Sequence, residues 1–130
     1  MPRSFYDPEN APDASEWLGI DEHERIRLAR NYHEVARIKV PNVKAHAAIH
    51  AAVENQIATG FGPSCRAIQR LQKEGLTRHE AIHAIGSVLA AFIHELSNAD
   101  AASRVDFQSR MNTAIEALTA AKWRAFADDK

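Results

Sequence analysis

The stretch PNVKAHAAIHAAVENQIATGFGPSCRAIQRLQKEGLTRHEAIHAIGSVLAAFIHEL, Pro41 to Leu96, decides the fold. Val43, Ile49, Val53 and Ile57 recur at helical spacing, and Ile82, Ile85, Leu89, Phe92, Ile93 and Leu96 do so again. Asn42 is a suitable N-cap for the first of these helices, and Gly60 and Gly62 end it. Pro63 fits the opening of a short helix over about Ser64 to Glu74, and Gly75 suits its left-handed C-terminal cap, with Leu76 as the accompanying apolar contact. Thr77 and Glu80 form a T-x-x-E capping box at the head of a helix running to about Leu96. No segment alternates with a period of two, so no sheet is expected.

These helices carry two histidine pairs, His46 with His50 and His79 with His83. A spacing of four puts both imidazoles of a pair on one helical face, about one turn apart. His46 and His50 fall within the apolar stripe of their helix, with Glu54 near its edge. His79, His83 and His94 line one margin of theirs, beside the small residues Gly86 and Ala90. Small residues let a neighbouring helix approach closely enough for facing imidazoles to meet. A histidine in an apolar stripe needs partners for its ring nitrogens, because a buried unsatisfied polar group costs about 1–3 kcal/mol. Hydrogen bonds meet that need; so does one metal ion shared by several rings, each donating its second nitrogen to an outer acceptor. The predicted ligand pool is His46, His50, His79 and His83, with Glu54.

HEAIH, residues 79–83, matches the H-E-x-x-H pattern of zinc-binding helices, which would make Glu80 a catalytic general base. Its place in the capping box gives Glu80 a competing task, reaching back to the Thr77 amide. A di-iron carboxylate centre needs a second E-x-x-H unit that the chain lacks. Four histidines with one or two carboxylates fit a single zinc, nickel or iron ion, and copper less well without sulfur ligands. Four bound imidazoles would close the site; three would leave a position for water, with Glu80 or Glu54 as base.

Outward from this region, residues 1–15 carry Pro2, Pro8 and Pro12 and no apolar period. They are expected to form an irregular arm whose Phe5 and Tyr6, with Trp17, pack onto the helical domain of residues 16–130 or onto a second subunit. A helix is predicted from Asp21, with Ile26, Ala29 and Tyr32 inward, ending before Pro41. After a turn over Ser97–Asp100, one last helix is predicted from Ala101 to Phe126, with the stripe Phe107, Met111, Ala114, Ile115, Leu118 and Ala121. The expectation is an all-α, single-domain bundle of about five helices, with residues 43–96 bearing the motifs.

A chain of 130 residues with 45% hydrophobic and 25% charged residues is an ordinary globular composition. A formal charge of −1 gives no reason to expect nucleic acid or an anionic membrane as partner. The basic residues from Arg25 to Lys44 are interspersed with acids, as on a solvated helix face. Cys65 stands alone, which excludes an intramolecular disulfide and a cysteine zinc site. Neither a secretory apolar core nor a run of about 20 apolar residues occurs, so a cytoplasmic protein is expected.

The segments HAAIHAAVENQIA, His46 to Ala58, and RLQKEGLTRHEAIHAIGSVL, Arg70 to Leu89, resemble a family of small bacterial proteins known only as a domain of unknown function. That family's pattern is H-x-x-x-H, a glutamate-containing turn, a short linking helix and H-E-A-x-H. His46, His50, Glu54, His79, Glu80 and His83 occupy the matching positions. The resemblance implies a helical architecture and a histidine site, and carries no activity.

Two functions compete. One is a helical protein that binds a divalent metal through the histidine cluster, with metal-dependent hydrolysis as its enzymatic extension. The other is a non-enzymatic interaction or homodimerisation module in which the histidines form a buried hydrogen-bonded cluster, responsive to pH near about 6.

Overall fold

The computed structural model describes residues 6–35, 43–97 and 105–128. They form seven helices: α1 (Ala14–Gly19), α2 (Glu22–Val35), α3 (Val43–Ala58), α4 (Gly62–Lys73), α5 (Arg78–Ser97), α6 (Phe107–Ala117) and α7 (Ala120–Asp128). No strand occurs among the described residues. Phe5, the Asn42 cap, the turn over residues 98–100 and the side chain of His33 lie outside them.

Local chemistry explains the boundaries. Asp13 caps α1 by accepting from the Glu16 amide, which starts this helix inside the stretch expected to be irregular. Gly60 at φ 79° and Gly75 at φ 103° end α3 and α4. The Phe61 amide donates to the Gln56 carbonyl and the Leu76 amide to that of Leu71, so both ends close as six-to-one turns around a left-handed glycine. Leu76 is buried, as its expected role requires.

The single C-terminal helix expected from Ala101 is instead two. Leu118 is extended (φ −68°, ψ 134°), and the Thr119 hydroxyl accepts from the Lys122 amide to start α7. Two side chains at the end of α4 hold the break: Arg70 in its last turn donates to the carbonyls of Ile115 and Leu118, and Glu74, its C-cap, accepts from the Ala120 amide. Because the break shifts the helical phase, Ala120 is buried and Ala121 exposed, the reverse of what one unbroken stripe requires.

Helix α3 occupies the centre, packing against α1, α2, α4 and α5, while α5 also packs against α4 and α6. Its residues serve two apolar cores. Ala47 and Ala51 join Tyr6, Trp17, Leu28 and Ala29 on one side. Val53 joins Ala67, Leu71, Ile82, Ile85 and Ile115 on the other. Between them runs a buried seam of His50 and Glu54, on the same helical face as His46. Helices α3 and α5 meet closely at Gly86, where a Cβ would lie 2.8 Å from Ile49 Cγ2. The small residue does permit the approach expected of it.

A candidate metal centre between α3 and α5

The close approach of α3 and α5 brings the two histidine pairs together. One ring nitrogen each from His46, His50 and His83 lies within 4.8 Å of the others. His46 Nε2 and His83 Nε2 are 3.1 Å apart. At that distance either one nitrogen shares its proton with the other, or both lone pairs turn towards a common third partner. Two nitrogens held by one tetrahedral ion at about 2.0–2.1 Å would be about 3.3 Å apart. The observed spacing therefore fits a shared ion with little movement.

His50 is the deepest of the three, 2% exposed. Its Nδ1 lies 3.0 Å from the Tyr6 hydroxyl, which also donates to Glu54 Oε2 at 2.5 Å. A phenol has one proton, and the carboxylate can only accept. The Tyr6 oxygen must therefore accept from His50, which places the imidazole proton on Nδ1 and leaves the Nε2 lone pair for the cluster. Tyr6 keeps its proton because burial, and then the neighbouring Glu54 charge, raise its pKa well above the ordinary phenol value. Glu54 is in turn gripped by Arg78 through two bonds, of 2.7 and 2.8 Å. Burial works against the Arg78 charge, but the bonds to Glu54 outweigh it and hold the guanidinium pKa above its usual value. The chain Arg78–Glu54–Tyr6–His50 thus fixes the tautomer of His50 from behind, the arrangement by which outer partners orient ligands in metal sites.

The N-terminal arm supplies more than Tyr6. Arg78 also donates to the Pro8 carbonyl, and the His79 amide donates to Glu9 Oε1. A turn in which Asp7 accepts from the Glu9 amide and the Asn10 side chain shapes this segment. The arm packs onto the helical body, one of the two placements the sequence allowed for it.

The remaining expected site residues are distributed as follows. His79 stacks edge-on against His83, with centroids 4.2 Å apart, and against Tyr32 at 5.3 Å, but it is not in the metal-spaced triad. Glu54 is also outside the triad, its carboxylate engaged by Arg78 and Tyr6. Glu80 is exposed and its Oε1 accepts from the Thr77 amide at 2.9 Å, while the Thr77 hydroxyl accepts from the Glu80 amide. The reciprocal pair is the capping box itself. His23 and His94 are exposed. Of the basic residues near α2, Arg25 donates to Asn55 and to the Ile20 carbonyl, and Arg27 pairs with Glu24.

In front of the triad lies an open-sided cleft of about 360 Å³. All three triad histidines line it, together with Ile49, Ile82, Gly86, Ala90 and Trp123. No lysine, arginine, aspartate or glutamate is among its described lining residues. Sequence reasoning missed Tyr6, Arg78 and Trp123. A signal existed for Arg78: a glutamate predicted at the edge of an apolar stripe needs a cation, and Arg78 directly precedes the second histidine motif. Nothing local marks Tyr6 as a site residue, and the aromatic end formed by Trp123 and Phe126 in the sequence suggests a partner surface and not a cleft wall.

Comparison with protein-family models, with curated proteins and with solved structures returns no match. Among the described residues, no helix is long and apolar enough to cross a membrane.

Proposed function

We propose that this protein binds one divalent transition-metal ion through His46, His50 and His83, with at least one coordination position turned to the cleft. The observation that carries this reading is the convergence of three imidazoles from two helices, one of them already set as an Nε2 donor by Tyr6. Three neutral nitrogen ligands suit zinc, nickel or iron(II). Such an ion, when bound, supplies Lewis acidity and an acidified water at its open position.

The chain's own residues divide the remaining work. Tyr6 orients His50, Glu54 and Arg78 hold Tyr6, and the apolar lining of the cleft limits access of bulk water. Neither Glu54 nor Glu80 lines the cleft, so no carboxylate among the described lining residues is available as a general base. Ligand binding at the ion is therefore better supported than carboxylate-assisted hydrolysis. The resemblance to a bacterial family with the same paired motifs is compatible with this reading and adds no reaction to it.

The test is the metal content of untagged protein after reconstitution with zinc, nickel or iron(II). About one ion per chain is expected, lost in His50→Ala and in His83→Ala and retained in His79→Ala. Retention should weaken on acidification, because protons compete with the ion for the ring nitrogens. Wild-type protein that binds none of the three ions would defeat the proposal. The 3.1 Å His46–His83 contact would then be read as part of a hydrogen-bonded cluster in a non-enzymatic helical module.

A further inference from the structure

The cleft in front of the triad has two properties that together describe an occupant. Its described lining is apolar apart from the imidazoles and Ser87, with Ile49, Ile82, Ala90 and Trp123 as walls. Among its described lining residues there is also no Lys, Arg, Asp or Glu, while the ligands proposed for the ion are three neutral imidazoles. A divalent ion held this way keeps its full double charge against a surface that screens poorly. Electrostatics then favours an anionic donor at the open position, and the walls favour an apolar body behind it. At about 30 Å³ per water in the liquid, a cleft of about 360 Å³ corresponds to roughly a dozen waters, room for a molecule of about ten non-hydrogen atoms.

We infer that the cleft takes a small free molecule made of one monoanionic oxygen-donor head on an apolar, ring-sized body, the head bound at the ion and the body packed beside Trp123 and Ile49. This rests on the metal-binding reading above. It goes further in assigning a ligand class to the cleft and separate tasks to its two ends. The polar relay of Tyr6, Glu54 and Arg78 takes no part in holding this body, since none of the three lines the cleft.

Cobalt(II)-loaded protein provides the test, because its visible absorption responds to a ligand entering the metal's coordination sphere. Benzohydroxamate has the head and the ring; acetohydroxamate has the head alone. Benzohydroxamate is expected to bind at least about tenfold more tightly, the increment that burying a ring should give. Benzamide, which lacks the anionic head, should leave the spectrum unchanged. Ala90 and Ala45 line the cleft and are exposed, so a larger side chain at either can be accommodated without entering the core. Ala90→Phe and Ala45→Phe should each keep their cobalt and lose most of the preference for benzohydroxamate.

Cobalt bound at one per chain with equal affinity for the two hydroxamates overturns this inference and leaves the metal site standing. So does a preference that neither substitution reduces. Failure of the wild-type chain to bind cobalt, zinc, nickel or iron(II) overturns both.

Discussion

The two sides of the histidine cluster are built on opposite principles. Behind it, Arg78, Glu54 and Tyr6 are all buried, each hydrogen-bonded to the next, with Arg78 and Glu54 joined as a two-pronged ion pair. In front of it, small and apolar side chains leave an open-sided cleft. At the rear, polar groups satisfy one another in the interior; the front has free volume and few polar groups among its described lining. A cluster meant only to be hydrogen-bonded would gain nothing from a front of this kind. A ligand-accepting centre needs both sides, rigidity where the imidazoles are oriented and space where something binds.

Breaking the rear side should have the largest effect. Glu54→Ala strands the Arg78 charge in the interior, and removing one partner of a buried pair costs about 3–5 kcal/mol. Urea unfolding should register that loss, and Glu54→Gln should lose less by keeping acceptor oxygen for Tyr6 and Arg78. A Glu54→Ala protein as stable as the wild type would mean that the relay is not sealed from water.

Tyr6→Phe separates orientation from stability. It removes the acceptor that fixes His50 while leaving the ring in place, so metal affinity should fall by about 10–100-fold with the helical content unchanged. Alkaline behaviour gives a second reading of the same residue. The folded protein holds the Tyr6 proton above its unfolded value of about 10, chiefly through burial and then through the Glu54 charge. Its contribution to stability is thus complete below about pH 10 and lost as pH rises from there through the folded value. Tyr32 is shifted in the same direction, by burial and then by Asp7 and Glu9, so Tyr6→Phe should reduce the alkaline slope and not abolish it.

On the front side, Gly86→Ala puts a methyl against Ile49 Cγ2 and should cost about 1–3 kcal/mol in thermal or urea unfolding. Because Ile49 also lines the cleft, the same substitution should change ligand binding more than metal content. The smallest effect is expected of Glu80→Ala. It removes half of the capping box, about 1 kcal/mol, and should leave bound metal unaltered. A large loss of metal there would give Glu80 a role that its bond to the Thr77 amide does not suggest.

Much of the fold was legible because its determinants are local. The glycine at residue 75, the T-x-x-E box at 77–80 and the four-residue histidine spacing each act within a few residues. The break between α6 and α7 was not, since Arg70 and Glu74 hold it from another helix, and only Thr119 hints at it locally. The site shows the same division. Spacing placed His46 with His50 and His79 with His83, and the small residue at Gly86 pointed to a close helical contact. Which three of the four histidines converge depends on how the helices rotate against each other, and periodicity does not fix that angle. Tyr6 could not be anticipated as a site residue, because its partners lie 44 and 48 positions away.

The capture of Tyr6, Pro8 and Glu9 by residues far along the chain has a consequence for how the centre can be lost. These anchors all lie within residues 6–9, so this short segment can open locally at less free energy than melting the bundle requires. Such an excursion would release the His50 ring to rotate and exchange its tautomers while every helix from α2 onward stayed intact. Retention of an ion at the proposed site should then follow the local opening of this short tether, residues 6–10, and not the melting temperature. Amide exchange in that tether should run ahead of exchange in α3 and α5.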